Sequence, residues 1–249
     1  MIYIKSPSEI KLMRPACKAV AITLRKLRKI VRPGISTKDL DNYANECLKE
    51  LGAKPGFLNY NGYPATLCVS VNEEIVHGIP SASRILKDGD IVSMDMGAIV
   101  NGFYGDAAIT VPVGDISDGA AKLIEVTERS LEEGLSVVRA GVRLGDVSSA
   151  IGEYAEAHGM GVIEEFTGHG VGRRLHEDPS IPNFGHPGTG PVLKTGMTLA
   201  IEPMLSLGDP YLIILEDGWT AVTEDGSYAA HFEHTVAVTD DGCEILTME

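Results

Sequence analysis

Val31-Arg32-Pro33-Gly34-Ile35 returns as Val138-Arg139-Ala140-Gly141-Val142, an offset of 107 positions (138 − 31). The same offset carries Asp39 onto Asp146 and Gly52 onto Gly159. It also carries Leu86-Lys87-Asp88-Gly89 onto Leu193-Lys194-Thr195-Gly196. Asp95 then falls on Glu202. Several short matches sharing one offset point to a duplicated unit rather than chance. A single duplication makes two similar halves packed about a pseudo-twofold axis. Each half then sends a carboxylate from the same structural position towards a common centre.

Each half begins with helices. Ser6-Pro7-Ser8-Glu9 reads as a capping box with Pro at the first helical position. Ile10, Met13, Cys17, Val20, Leu24, Leu27 and Val31 follow at steps of three and four, an apolar helical stripe that Pro15 should kink or shift. A second helix follows Ser36 and stops at Gly52. Residues 121–138 and 144–158 read as its counterparts in the second half. Strand-like runs lie at 65–71, 91–99, 107–113, 197–202, 211–215 and 231–239. Helix blocks followed by strand blocks imply an α+β fold with antiparallel pairing. The expectation is one catalytic domain over residues 1–249, with internal halves at about 7–120 and 121–249.

The chain has 249 residues, 44% hydrophobic and 22% charged, ample for one large globular unit. It carries no apolar run of membrane-spanning length and no signal-peptide pattern. Cys17, Cys47, Cys68 and Cys243 are scattered, which suits reduced thiols in a cytoplasm. A net charge of −14 argues against non-specific nucleic-acid binding and leaves no case for specific DNA. The first helix is locally basic, with Lys11, Arg14, Lys18, Arg25, Lys26, Arg28, Lys29 and Arg32. That reads as a solvated face or as a transient docking stripe for the ribosome.

Asn101-Gly102 is a strong two-residue hairpin signal. With the turn there, Asp95 faces Ala108, and Asp106 shares the parity of Ala108. The two acids become diagonal neighbours about 7–8 Å apart at Cα, while Val92, Met94 and Met96 take the core face. Taken singly, Asp95 reads as a surface acid and Asp106 as a turn acid. His169 sits among three glycines in Gly168-His169-Gly170-Val171-Gly172. Glu202 interrupts an apolar strand, where a charged carboxylate is costly unless paired. Glu233 shares its parity with Thr235 and Ala237, and Phe232, Val236 and Val238 take the other face. Four carboxylates and one imidazole form an oxygen-rich ligand set suited to two divalent cations.

Taken together, these segments resemble type I methionine aminopeptidases. The motifs are Asn72-Glu73 through His77-Gly78-Ile79-Pro80, Asp95, Gly105-Asp106, Gly168-His169-Gly170-Val171-Gly172, His176-Glu177-Asp178-Pro179, Ile201-Glu202-Pro203-Met204 and Glu233-His234-Thr235, in family order over nearly the whole chain. The resemblance implies the pita-bread fold, with antiparallel sheet inside and helices outside. It implies that Asp95 serves one metal, that Asp106 and Glu233 bridge both, and that His169 and Glu202 complete the other site. The pair, about 3.5–4 Å apart, would activate a shared water, with Glu202 as general base. His77 would address the scissile amide nitrogen, and His176 the carbonyl oxygen as it becomes an oxyanion. Tyr60, Tyr63, Cys68 and Trp219 occupy the family's methionine-pocket positions.

The implied activity is removal of the initiator methionine from nascent chains when the next residue is small. The implied cofactors are two divalent ions (Co, Mn, Fe or Zn), with a monovalent cation also found in family members, and the expected state is a monomer. Phe57, Asn61, Leu175 and His231 depart from commoner family residues. A proline-specific aminopeptidase or dipeptidase of the same fold would share the ligands, but usually carries an extra N-terminal domain. A non-catalytic binding protein of this fold would lose ligands, and all five stand here.

Overall fold

A computed structural model describes residues 1–248; Glu249, the expected end of the second half, lies outside the described residues. Four α-helices are present among the described residues: α1 (Pro7–Ile30), α2 (Thr37–Glu50), α3 (Asp118–Val137) and α4 (Leu144–Ala157). Ser6 caps α1 as expected, with the Glu9 carboxylate returning to the Ser6 backbone N–H at 3.0 Å. Pro15 does not interrupt α1, which runs unbroken through it.

The duplication is visible in the backbone. The second helix and α4 share bounds at the 107 offset (144 − 37 and 157 − 50). The bridge Ser36↔Ile85 recurs as Arg143↔Val192, and Gly34 N–H to Leu86 C=O recurs as Gly141 N–H to Leu193 C=O. Gly34 and Gly141 have φ of 89° and 88°, a left-handed turn that favours glycine. Asp39 closes a capping box onto Ser36, and the Asp146 carboxylate likewise accepts from the Arg143 backbone N–H at 3.0 Å. In each half the helix entry is thus tied to the loop that leads into the acid-bearing strand.

The main sheet has nine strands among the described residues. Its path runs Lys54–Pro55, Ile91–Val100, Phe103–Pro112, Glu233–Val238, Thr198–Ile201, Gly168–Gly170 and Glu177–Ile181. Cys68–Val71 and Cys243–Ile245 attach beside it. Pairing is antiparallel throughout. Strand Phe103–Pro112 of the first half pairs with Glu233–Val238 of the second, so both halves share one sheet.

Alternation assigns the two faces. Val92, Met94 and Met96 join Val20, Leu24, Leu27, Leu40 and Leu48 in one core beneath α1 and α2. Leu199, Ile201, Phe232, Val236 and Val238 join Leu131, Leu135, Val147 and Ile151 beneath α3 and α4. Each such fully buried side chain contributes about 1.5–3 kcal/mol, which fixes the register against a one-residue slip. The opposite face is left for the site.

The run expected at 231–239 is split. Ala229–His231 pairs with Met204–Ser206 in a separate sheet, and Glu233–Val238 continues in the main one. The run expected at 211–215 narrows to Leu212–Ile214, an edge strand beside Ala221–Thr223.

Close packing of α1 on the hairpin depends on Gly105. A Cβ there would come 2.5 Å from the Cys17 backbone nitrogen and 2.6 Å from its Cα. Gly105→Ala should therefore cost about 1–3 kcal/mol through overpacking. Urea unfolding should show a lowered midpoint; an unchanged midpoint would contradict this packing.

Candidate metal centre and substrate cavity

Register alone gathers the acids. Across the hairpin Asp95 opposes Ala108, and on its other side Ala108 opposes Glu233. Directly paired residues share a face, so Asp95 and Glu233 flank the smallest side chain that has a Cβ. Asn101 and Gly102 turn this hairpin with φ of 54° and 74°, both left-handed, as a type I′ turn requires. Asp106 lies two residues before Ala108 on the same face. Its backbone N–H donates to the Thr235 hydroxyl at 3.1 Å, and that hydroxyl donates to the Asp106 carbonyl at 2.7 Å.

Thr235 opposes Ala200, and Ala200 opposes His169, which adds the imidazole to the same face. Ile201 pairs with His234 and Met204 with His231, so one register runs through both sheets and sets Glu202 opposite Glu233. The five residues expected as ligands therefore converge, and all five line one cavity of about 230 Å³.

The electrostatics of that pit are severe. Burial pushes the Asp95 carboxyl up to about 7. Burial, then the neighbouring acids, holds Asp106 and Glu233 well above the usual carboxylate range, and burial does the same to Glu202. Desolvation lowers His169 to about 3, so its imidazole is neutral. Its Nδ1–H donates to the Gly170 carbonyl at 2.9 Å, which leaves the Nε2 lone pair free. That Nε2 lies 3.4 Å from Glu202 Oε1 and 3.7 Å from Asp106 Oδ2.

Asp95 Oδ1, Asp106 Oδ1 and Glu233 Oε1 are buried with no hydrogen-bond partner. Ligand atoms of Asp106, His169 and Glu233 lie within 4.8 Å of one another, as do those of Glu202, His231 and Glu233. Orphaned carboxylate oxygens beside a free imidazole lone pair are a donor set that fits divalent cations. His231 is the member of these clusters that the sequence marks as a departure from the commoner family residue and not as a ligand. Its parity with Glu233 is the signal for it.

The other expected residues line the same cavity: His77, His176, Tyr60, Tyr63, Cys68 and Trp219. So do Phe57, Asn61 and Leu175, three of the departures. His77 has φ of 61°, uncommon for a residue with a side chain. Gly78 locks it, because its C=O accepts from Val69 N–H at 2.9 Å and from Tyr63 Oη at 2.9 Å. Burial lowers the His77 imidazole to about 4. The His176 imidazole is lowered by burial too, and its Nδ1 lies 2.7 Å from Tyr60 Oη. Tyr63 and Trp219 meet edge to face at 5.2 Å. Cys68 opposes Asp95, so its thiol reaches the cavity, and burial raises it well above its ordinary value. Phe166, against His77 at 5.3 Å, has no counterpart in the sequence reading.

The fold and site define a metal-dependent peptidase class, and comparison with known proteins agrees. The profile of metallopeptidase family M24 matches residues 11–240, and the chain belongs to that family. Within it, the chain is 54% identical over 247 residues to methionine aminopeptidase 1 of Bacillus subtilis, covering 99% of each chain. It superposes on the crystal structure of methionine aminopeptidase from Thermotoga maritima with a TM-score of 0.99 at 54% identity, covering 100% of both chains. A Xaa-Pro dipeptidase from Bacillus anthracis matches at 23% identity with a TM-score of 0.79, and this chain covers 62% of it. That likeness carries the pita-bread fold alone.

Without cations, unfolded Asp95 ionises near its ordinary 3.8, whereas the folded protein keeps that proton to about 7. Asp95 therefore contributes a loss of stability to the chelated protein as pH rises from about 4 to 7, opposed by His169 and His77, whose lowered proton affinities act the other way; relative to Asp95→Asn, the chelated wild type should lose stability over that window. A divalent cation should restore it at neutral pH and do little at about pH 4. Thermal unfolding with chelator and with manganese at both pH values checks this. A chelated wild type that does not lose stability relative to Asp95→Asn over the window would contradict it.

Proposed function

We infer that the protein is a hydrolase that removes an N-terminal methionine, as a metal-dependent aminopeptidase. One observation carries the reading: an acid-lined pit and an aromatic, thiol-bearing pocket share one cavity. We assign Asp95, Asp106, His169, Glu202 and Glu233 as the residues that hold two divalent cations. Those cations supply charge neutralisation and the Lewis acidity that makes water nucleophilic at neutral pH.

Glu202 moves the proton from the attacking water to the departing amine, a role suited to a carboxyl whose proton affinity burial has raised. His77, neutral near pH 7, hydrogen-bonds the scissile amide nitrogen. We assign the Tyr60 hydroxyl, 2.7 Å from His176 Nδ1, as the donor of that contact, so that the proton on Nε2 faces the carbonyl oxygen as that oxygen gains charge. Tyr60, Tyr63, Cys68 and Trp219 hold the methionine side chain. A neutral buried thiol and aromatic edges suit its polarisable thioether.

The whole chain serves as one catalytic unit, because both halves of the repeat contribute acids. The preference for a small second residue and the choice among Co, Mn, Fe and Zn are what the resemblance to type I methionine aminopeptidases implies. Nascent chain N-termini are the natural substrates, met by a cytoplasmic monomer; no helix of the described residues is long and apolar enough to cross a membrane. The basic face of α1 is a candidate for transient ribosome contact, although Arg14 is paired with Glu244 and Lys26 with Glu50. Ribosome pelleting at graded salt should show association that falls as salt rises; salt-independent pelleting or none would remove this contact.

Met-Ala-Ser should be cleaved with added metal and spared with chelator, while Xaa-Pro peptides should be poor substrates. His176→Ala should lower kcat about 100- to 1000-fold with the metal content unchanged. Cleavage of Xaa-Pro peptides alone, or equal rates in chelator, would overturn the reading.

A further inference from the structure

His231 is 1% exposed, and neither of its ring nitrogens has a hydrogen-bond partner. A buried imidazole with both nitrogens idle is unusual, because desolvated polar atoms are nearly always satisfied. The ring is not loosely placed. The His231 backbone N–H donates to Thr110 Oγ1 at 2.9 Å, that hydroxyl donates to the His231 carbonyl at 2.8 Å, and Ser93 Oγ lies 2.8 Å from it. Register puts His231 two residues before Glu233 and diagonal to Glu202.

The Nε2 of His231 lies 3.5 Å from Glu202 Oε2, and His169 Nε2 lies 3.4 Å from Glu202 Oε1. The carboxylate therefore sits between two imidazoles, one at each oxygen, at nearly equal separations. A tetrahedral cation bound at about 2.0–2.2 Å holds neighbouring ligand atoms about 3.3–3.6 Å apart. We propose that His231 supplies a second imidazole nitrogen to the metal centre, alongside His169. The inference rests on the metal centre proposed above and adds a ligand to it. A second nitrogen makes an oxygen-rich site softer, so the protein should favour zinc or iron over manganese more than a one-imidazole site does.

Untagged protein loaded with zinc to its own capacity is measured by X-ray absorption, where imidazole scattering counts ring ligands. The wild type should show two imidazoles per protein, and His169→Ala and His231→Gln should each show one. Competition between zinc and manganese should show the zinc preference of His231→Gln falling about tenfold. A wild type with one imidazole, lost completely in His169→Ala, would overturn the assignment without needing His231→Gln to fold. So would an unchanged zinc preference in a folded His231→Gln protein. Protein that takes up no zinc at all would overturn the metal centre itself, and this ligand with it.

Discussion

Mutual repulsion among four buried carboxylates is the constraint on which the rest depends. Asp95, Asp106, Glu202 and Glu233 cannot all carry charge in one pit without a compensating cation. Burial raises the proton affinity of all four, and the neighbouring acids raise it further at Asp95, Asp106 and Glu233. Nothing about the acids themselves brings them together. The opposite faces of their strands do, since Val92, Met94, Leu199, Ile201, Val236 and Val238 are buried under helices. Hydrophobic register thus forces an arrangement that electrostatics alone would reject, and bound cations would stabilise it.

Duplication explains how one chain reaches this arrangement. Each half ties its helix entry to the loop before an acid-bearing strand with the same hydrogen bonds. Two similar halves then meet along Phe103–Pro112 and Glu233–Val238, where both sets of acids arrive on one face. Asymmetry enters through the loops. His77, His176 and the aromatic side chains lie between the repeated elements, and they turn a symmetric acid pit into a one-sided cavity. The imidazoles around it are kept neutral by burial, so they can donate one hydrogen bond and accept another.

Much of this was legible in the sequence, for physical reasons. Capping residues marked the starts of α1 and α2, and the Asn101-Gly102 turn set Asp95 against Ala108. Helix α4, expected at 144–158, runs Leu144–Ala157. What stayed hidden was short or irregular. Gly168–Gly170, Glu74–Val76 and Met204–Ser206 are three residues each, too few to show alternation. The strand change at Phe232 breaks no pattern, because one register continues through it. The meeting of His169 with the acids followed from resemblance rather than spacing, and His231 stood out in the sequence only as a departure from the commoner family residue.

The central claim is that cations replace protons in this pit. Calorimetric titration of metal-free protein with manganese at about pH 7, repeated in buffers of different ionisation enthalpy, measures that exchange directly. The account predicts saturable binding of two ions with net proton release, abolished in Asp106→Ala. Binding without proton release, or saturable binding that survives Asp106→Ala unchanged, would contradict it.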